Sequence, residues 1–259
     1  MSYSAYTKVE HETAPAPARA PSPAPALNGV PSVIEEPRPD QPLPLEIRNV
    51  VKGWGRKNPP VLKGIDLEIE PGQLVWVGGR NGVGKTTLLR VVSGLIGATD
   101  GEVRAFGLDP KRDRRAYQRR VAFLSAGNTG VYARLTVRQQ LDVWARIAFV
   151  PRAERAAAVD SALEQFMLED LAGNRSDRLS MGQRQRLRIA MTFIGGPDLL
   201  LLDEPRTSLD GEGGAILTNA IRETIMRGGA VLWVSPTGEP IGMRFDQRHV
   251  IEDGKLRAA

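Results

Sequence analysis

The sequence predicts an α/β fold, with a parallel sheet at its core, a smaller antiparallel sheet beside it and a helical lobe inserted into the chain. Three observations carry this. LVWV (74–77), LLLLD (199–203) and VLWVS (231–235) are wholly apolar runs separated by helical patterns, as expected of parallel strands covered on both faces. LEIRNV (45–50) and IDLEIE (65–70) instead alternate apolar and polar residues, which gives a sheet with one wet face. Between the first apolar run and the second, about residues 110–195, LTVRQQLDVWARIAF and AVDSALEQFMLEDL have helical spacing and read as the inserted lobe.

Taken in order, residues 1–42 hold nine of the nineteen prolines, much of this as APAPARAPSPAPA, and predict a disordered tail. Such a tail is a plain solvated extension or a polyproline ligand for a partner domain. The folded region begins at Leu43 and runs to Ala259. Pro71-Gly72 turns the chain into the first apolar strand, and Asp253-Gly254 between HVIE and KLRA marks a tight hairpin. With 41% hydrophobic residues the chain can fill a core, and no run is long enough to cross a bilayer. No signal-peptide pattern opens the chain, so a cytoplasmic location is expected. The absence of cysteine excludes disulfides, thiol catalysis and cysteine-based zinc sites. With only His11 and His249, a histidine-rich metal centre is not expected either.

The formal charge is +5, but the tail carries three basic and five acidic side chains, which leaves 32 against 25 for the rest. The folded region is therefore the basic one, and nucleic acid, an anionic leaflet, acidic partners and plain solubility are all compatible with it. KRDRRAYQRR (111–120) is the densest run of charge, either a solvated helix face or a patch that meets acidic lipid or a membrane partner.

Directly after LVWV comes GGRNGVGKTTLLR. Gly79, four residues and then Gly84-Lys85-Thr86 fit the P-loop pattern in the strand-then-helix context that its mechanism needs. Glycines let successive backbone N–H groups converge on phosphate oxygens, and the helix that follows points its positive end at the same place. Lys85 should reach the β- and γ-phosphates and the Thr86 hydroxyl should bind magnesium, with Asn81, Gly82 and Thr87 in the same cradle. PDLLLLDEP carries Asp203 and Glu204 past the end of a buried strand. One carboxylate there would hold magnesium, and the second, Glu204, would orient or deprotonate the attacking water. Acidic residues at a strand end also serve simply to cap the next helix.

With LSMGQRQRLRIA (179–190) added to these motifs, residues 43–259 resemble the nucleotide-binding subunits of ATP-binding-cassette (ABC) transporters. That family implies a RecA-like P-loop NTPase core with an antiparallel β subdomain and an inserted α-helical subdomain. Its signature LSGGQ stands here as Leu179-Ser180-Met181-Gly182-Gln183. Two cassettes of the family sandwich two ATP molecules head to tail, so the resemblance implies that the signature residues Ser180, Met181, Gly182 and Gln183 face ATP held by the opposite subunit. Ser180 also suits the N-cap of the helix that starts there. Trp54 matches the aromatic that stacks on adenine, the alternative being an ordinary core or surface tryptophan. Ser208-Leu209-Asp210 matches the loop that crosses the dimer interface, although the family's EPTSGLD reads EPRTSLD here.

Two side chains that the family uses to sense the nucleotide are also missing. VLWVSPTGEP aligns with a strand that ends in the switch histidine, and Pro236 occupies that place. His11 and His249 are poorly placed to replace it; Ser235 or Thr237 could offer phosphate a hydroxyl, a weaker interaction. The loop glutamine that contacts magnesium is also missing, since VAFLSAGNTG has Ala126-Gly127 near that position, with Asn128 the nearest amide. Gln139 and Gln140 lie further along, on what reads as a solvated helix.

The resemblance implies an ATP hydrolase that uses ATP and Mg2+ and drives a separate membrane permease, by export on the wording of the helical lobe. It would work as a homodimer, or as a heterodimer with another cassette, at the inner face of the membrane. Its alternative is a partner that binds ATP but hydrolyses it poorly. A soluble cassette acting on DNA or ribosomes would need long heptad coiled coils or two cassettes in one chain, so no nucleic-acid partner is expected.

Overall fold

The structure, a computed structural model, describes residues 41–55, 58–127, 130–206, 209, 211–236 and 243–259. The predicted tail lies outside these residues apart from Gln41 and Pro42. In chain order the strands are β1 (Leu45–Lys52), β2 (Leu62–Ile69), β3 (Leu74–Gly78), β4 (Asp100–Arg104), β5 (Val121–Leu124), β6 (Leu199–Asp203), β7 (Ala230–Val234), β8 (Gln247–Glu252) and β9 (Lys255–Ala258). The helices are α1 (Lys85–Val92), α2 (Arg114–Arg120), α3 (Val137–Ile147), α4 (Arg155–Gln165), α5 (Met181–Phe193) and α6 (Gly211–Met226).

The alternating segments form the three-stranded antiparallel sheet β2-β1-β4, and the apolar runs lie inside a second sheet, ordered β5-β6-β7-β3-β8-β9. All neighbours in the second sheet are parallel except β8 and β9, the expected hairpin. Its turn residues Asp253 and Gly254 have φ of 49° and 80°, as a type I′ turn requires. β5 extends this sheet from within the stretch read as the lobe, and α3, α4 and α5 follow it.

Double burial of the apolar strands follows from the two-residue period of a strand. Val75, Val77, Leu199, Leu201, Leu232 and Val234 face a core shared with α1 and the antiparallel sheet. Their sequence neighbours Leu74, Trp76, Leu200, Leu202, Val231 and Trp233 face the other core, shared with α3, α4, α5 and α6.

Helix α3 begins with a capping box, in which Thr136 and Gln139 satisfy each other's backbone N–H groups. Gln140, expected on a solvated helix, is fully buried. Its side chain donates to the Gly130 carbonyl at 2.9 Å and accepts from the Tyr132 N–H at 3.1 Å, so it braces the loop before α3. The charged run 111–120 is largely solvated. Tyr117 is its buried anchor, donating to the Val92 carbonyl, while Arg120 pairs with Asp198 at 2.7 Å and lies over Phe106.

At the end of β3 the Trp76 indole folds over Gly78, and a Cβ on Gly78 would fall 2.2 Å from it. Phe245 packs against both Trp76 and Trp233. Gly78→Ala should therefore overpack this corner and cost about 1–3 kcal/mol, a fall in Tm of roughly 2–4 °C per kcal/mol. Thermal unfolding checks this, and the loss should shrink in a Trp76→Phe background, where the ring reaches less far. Equal losses in both backgrounds would show that Trp76 is not the obstacle.

Candidate functional site

The P-loop is built where β3 gives way to α1. Gly79, Gly82 and Gly84 have φ of 131°, 82° and 114°, a region that side chains rarely adopt. Two of them also lack room: a Cβ on Gly79 would lie 2.8 Å from the Ile251 carbonyl oxygen, and one on Gly84 2.9 Å from Leu62. The glycines thus press the loop against β8 and β2, leaving Asn81 and Gly82 at the surface.

Lys85 is folded back into this loop, its Nζ donating to the Gly79 carbonyl at 2.7 Å and the Arg80 carbonyl at 3.1 Å. Burial lowers its pKa, against the attraction of the Glu204 and Asp203 carboxylates. Neutral carbonyls are weak partners for an ammonium, so an anion entering the loop would compete for it well. Thr86, the next residue, donates through Oγ1 to Asp203 Oδ2 at 2.8 Å, and Thr87 lies half-buried beside it.

Asp203 ends β6 and is 2% exposed. Burial raises its pKa; the Thr86 hydroxyl, the Ala126 backbone N–H and the Lys85 charge pull the other way without cancelling that effect. Glu204 follows with φ 47°, an uncommon conformation for a residue with a side chain, held by its N–H donating to the Val234 carbonyl at 2.9 Å. The chain therefore turns sharply where one carboxylate is buried and the next is presented.

The other predicted site residues divide by position. Trp54 is half-exposed just beyond β1, with Lys52 Nζ 4.6 Å from its ring centroid. The β1–β2 turn that carries it returns through Val61, which meets the P-loop at Gly84. Ser180 caps α5 in a reciprocal capping box with Gln183, so its expected capping role is present, while Met181 is exposed and Gly182 partly so.

Ser235 is 5% exposed, and its Oγ accepts from the Trp76 indole at 2.9 Å. Of the two hydroxyls considered for phosphate, this one is drawn inward; Thr237 lies outside the described residues, as do Asn128, Ser208 and Asp210. His249 sits on β8 opposite Val77, its pKa lowered by burial, and contacts the Gln247 side chain rather than the end of β7.

Two site-flanking residues were missed in the sequence. Arg188 and Gln185 on α5 are 3% and 4% exposed and bond to the segments on either side of Asp203. Their polar character hid them, and Gln185 stands between Arg184 and Arg186 in the polar first half of α5.

Comparison with known proteins agrees with this geometry. The ABC transporter family profile matches residues 62–207, more than half of the chain. The chain belongs to the ABC transporter family. The cassette is 30% identical over 195 residues to the ABC transporter ATP-binding protein NatA of Bacillus subtilis (strain 168), covering 75% of this chain and 79% of that protein. It is 32% identical to the daunorubicin resistance ATP-binding protein DrrA3 of Streptomyces coeruleorubidus, over 80% of this chain and 65% of the relative. A sulfate/thiosulfate import ATP-binding protein of Methylococcus capsulatus is 38% identical over 65% of this chain but only 48% of its own length. The fold matches a solved ATP-binding subunit of an ABC transporter with a TM-score of 0.75 at 23% identity, covering 83% of this chain and 88% of that one. The cassette is thus the ATP-binding, ATP-hydrolysing subunit type of its family, whose relatives include proteins named for import and, as with the Nod factor export ATP-binding protein I of Rhizobium meliloti (31% identical over 81% of this chain and 62% of that protein), for export.

Because Asp203 has a raised pKa, the folded state holds its proton to higher pH than the unfolded chain does. Its ionisation therefore costs stability as pH rises from the ordinary carboxyl range through the raised value, and the full cost is present above it. Asp203→Asn should raise the Tm of the nucleotide-free protein at neutral pH, with a smaller gain in acid. Unfolding curves of both proteins across pH check this; a lower Tm for the variant at neutral pH would contradict it.

Proposed function

We propose that this chain is the motor subunit of a membrane exporter: residues 43–259 form a cassette that binds ATP, pairs with a second cassette and drives a separate permease from the inner face of the membrane. The observation that carries this reading is the Thr86–Asp203 hydrogen bond beside Lys85, which brings the P-loop and the end of β6 into one site. Lys85 binds the β- and γ-phosphates in exchange for the Gly79 and Arg80 carbonyls. The backbone N–H groups from Gly79 to Thr87 receive the remaining oxygens, Asn81, Gly82 and Gly84 among them. Trp54, beside the P-loop, takes the adenine.

The donor set also fits a divalent cation. A hydroxyl oxygen and a buried carboxylate oxygen are hard ligands, and an ion of opposite charge would relieve the cost of ionising Asp203. Thr86 and Asp203 would hold Mg2+, which when bound neutralises charge on the phosphates. Glu204 orients the attacking water and accepts its proton. Ser180, Met181, Gly182 and Gln183, at the exposed start of α5, meet ATP on the opposite cassette, whether a second copy or a different chain, and Asp210 belongs to the loop that the family resemblance assigns to the interface.

Export is supported by the Nod factor export relative and by the resemblance of the helical lobe. Cargo is chosen by the permease. A second reading, slow hydrolysis in an asymmetric pair, is favoured by Pro236 in place of the switch histidine and by the inward-facing Ser235 hydroxyl.

Phosphate release at high protein concentration with Mg-ATP tests both. On the first reading Glu204→Gln lowers turnover about 100-fold or more and leaves ATP bound, since a positioned base contributes that much. Lys85→Ala should weaken ATP binding at least about tenfold, as expected for lost charge-assisted bonds. Lys85-dependent binding without turnover would establish the second reading, and ATP affinity indifferent to Lys85 would overturn both.

A further inference from the structure

Arg188 lies in the second turn of α5 and is 3% exposed. A guanidinium taken so far out of water needs well-formed hydrogen bonds, and two of its partners lie in different parts of the site. Nη2 donates to the Ser125 carbonyl, and Nη1 donates to Gln185 Oε1 at 2.7 Å. Ser125 immediately precedes Ala126, whose N–H donates to Asp203. With its Oε1 taken by a cation, the Gln185 amide has one orientation left, and its Nε2 donates to the Pro205 carbonyl at 3.2 Å. Pro205 directly follows Glu204.

A single guanidinium on α5 thus reaches both flanks of the carboxylate pair. One path runs through Ser125 and Ala126 to the Asp203 side chain, the other through Gln185 to the backbone beyond Glu204. The planar, rigid fork of arginine holds its donors in fixed directions, which suits this two-sided geometry.

We propose that Arg188, with Gln185 as its relay, is a positioning residue that fixes the Asp203 carboxylate for its divalent cation and sets the backbone that presents Glu204. It touches neither nucleotide nor metal and acts through the loops that hold the groups that do. The proposal rests on Asp203 and Thr86 being the cation ligands, so the same experiment has to test that assignment separately.

The measurement is ATP affinity by titration calorimetry in EDTA and again in Mg2+, the ratio of the two constants reporting how well the cation is held. Asp203→Ala serves as the control and should abolish the gain from Mg2+. If it leaves the gain intact, the cation assignment fails, and this proposal fails with it. With the control behaving, Arg188→Met should keep its EDTA affinity within about twofold and lose about tenfold of the Mg2+ gain, the range expected when a partner that orients a metal ligand is removed. A gain within twofold of wild type, or equal losses in both buffers, would overturn the proposal, because a role confined to packing predicts no selective loss of the metal-dependent part. If Arg188→Met does not fold, Gln185→Met, which keeps the charge but removes the acceptor of Nη1, is read by the same criterion. A selective loss of the gain supports the proposal and an unchanged gain overturns it.

Discussion

Three distant stretches of chain meet at the Asp203 carboxylate, and holding this charge out of water is the constraint around which the site is arranged. Thr86 comes from the first turn of α1, Ala126 from the loop after β5, and Asp203 itself from the end of β6. Neither contact is fully charge-compensating, so ionisation remains costly and the site favours an incoming cation. Lys85, near enough to feel the Asp203 and Glu204 charges, is held by neutral carbonyls in a loop whose glycines bring backbone N–H groups towards an anion. A site with these two unmet preferences is suited to a ligand that carries both signs of charge, as a metal–nucleotide complex does.

The missing glutamine and the missing switch histidine differ in physical weight. The contact made at Ala126 comes from a backbone N–H, which any residue but proline supplies, so loss of the glutamine side chain leaves the support of Asp203 in place. At Pro236 no donor of any kind remains on the backbone, and the neighbouring Ser235 oxygen is engaged by Trp76. The missing glutamine therefore removes reach, and the missing histidine removes polarity at the end of β7.

Much of the architecture could be read directly in the sequence because its signals are strong and local. An apolar run such as LLLLD has no wet face and belongs in the middle of a parallel sheet, and Gly79, Gly82 and Gly84 occur where the backbone needs them. Polar residues inside helices were harder to place. Gln140 shares the buried side of α3 with Val137, Leu141 and Ala145, so its spacing marks it as interior although its chemistry suggested solvent. Arg188 had no such marker. Helix α5 is buried on much of its circumference, so no apolar stripe separates inside from outside, and the carbonyl that accepts from Arg188 belongs to a residue 63 positions earlier. Partnerships of that kind become visible only when the chain is folded.

The order of strands in the larger sheet also bears on how the protein is made. β3, which delivers the P-loop, is flanked by β7 and β8, so the strand ending at Gly78 finds its neighbours only after residues 230–252 have been synthesised. At ordinary rates of chain growth that interval lasts roughly ten to thirty seconds. During it LVWVG, and later LLLLD, are apolar strands without their full set of partners, the type of segment that pairs wrongly when exposed. The nucleotide cradle is therefore among the last parts of the molecule to form, and a chaperone would encounter its central strand before ATP could.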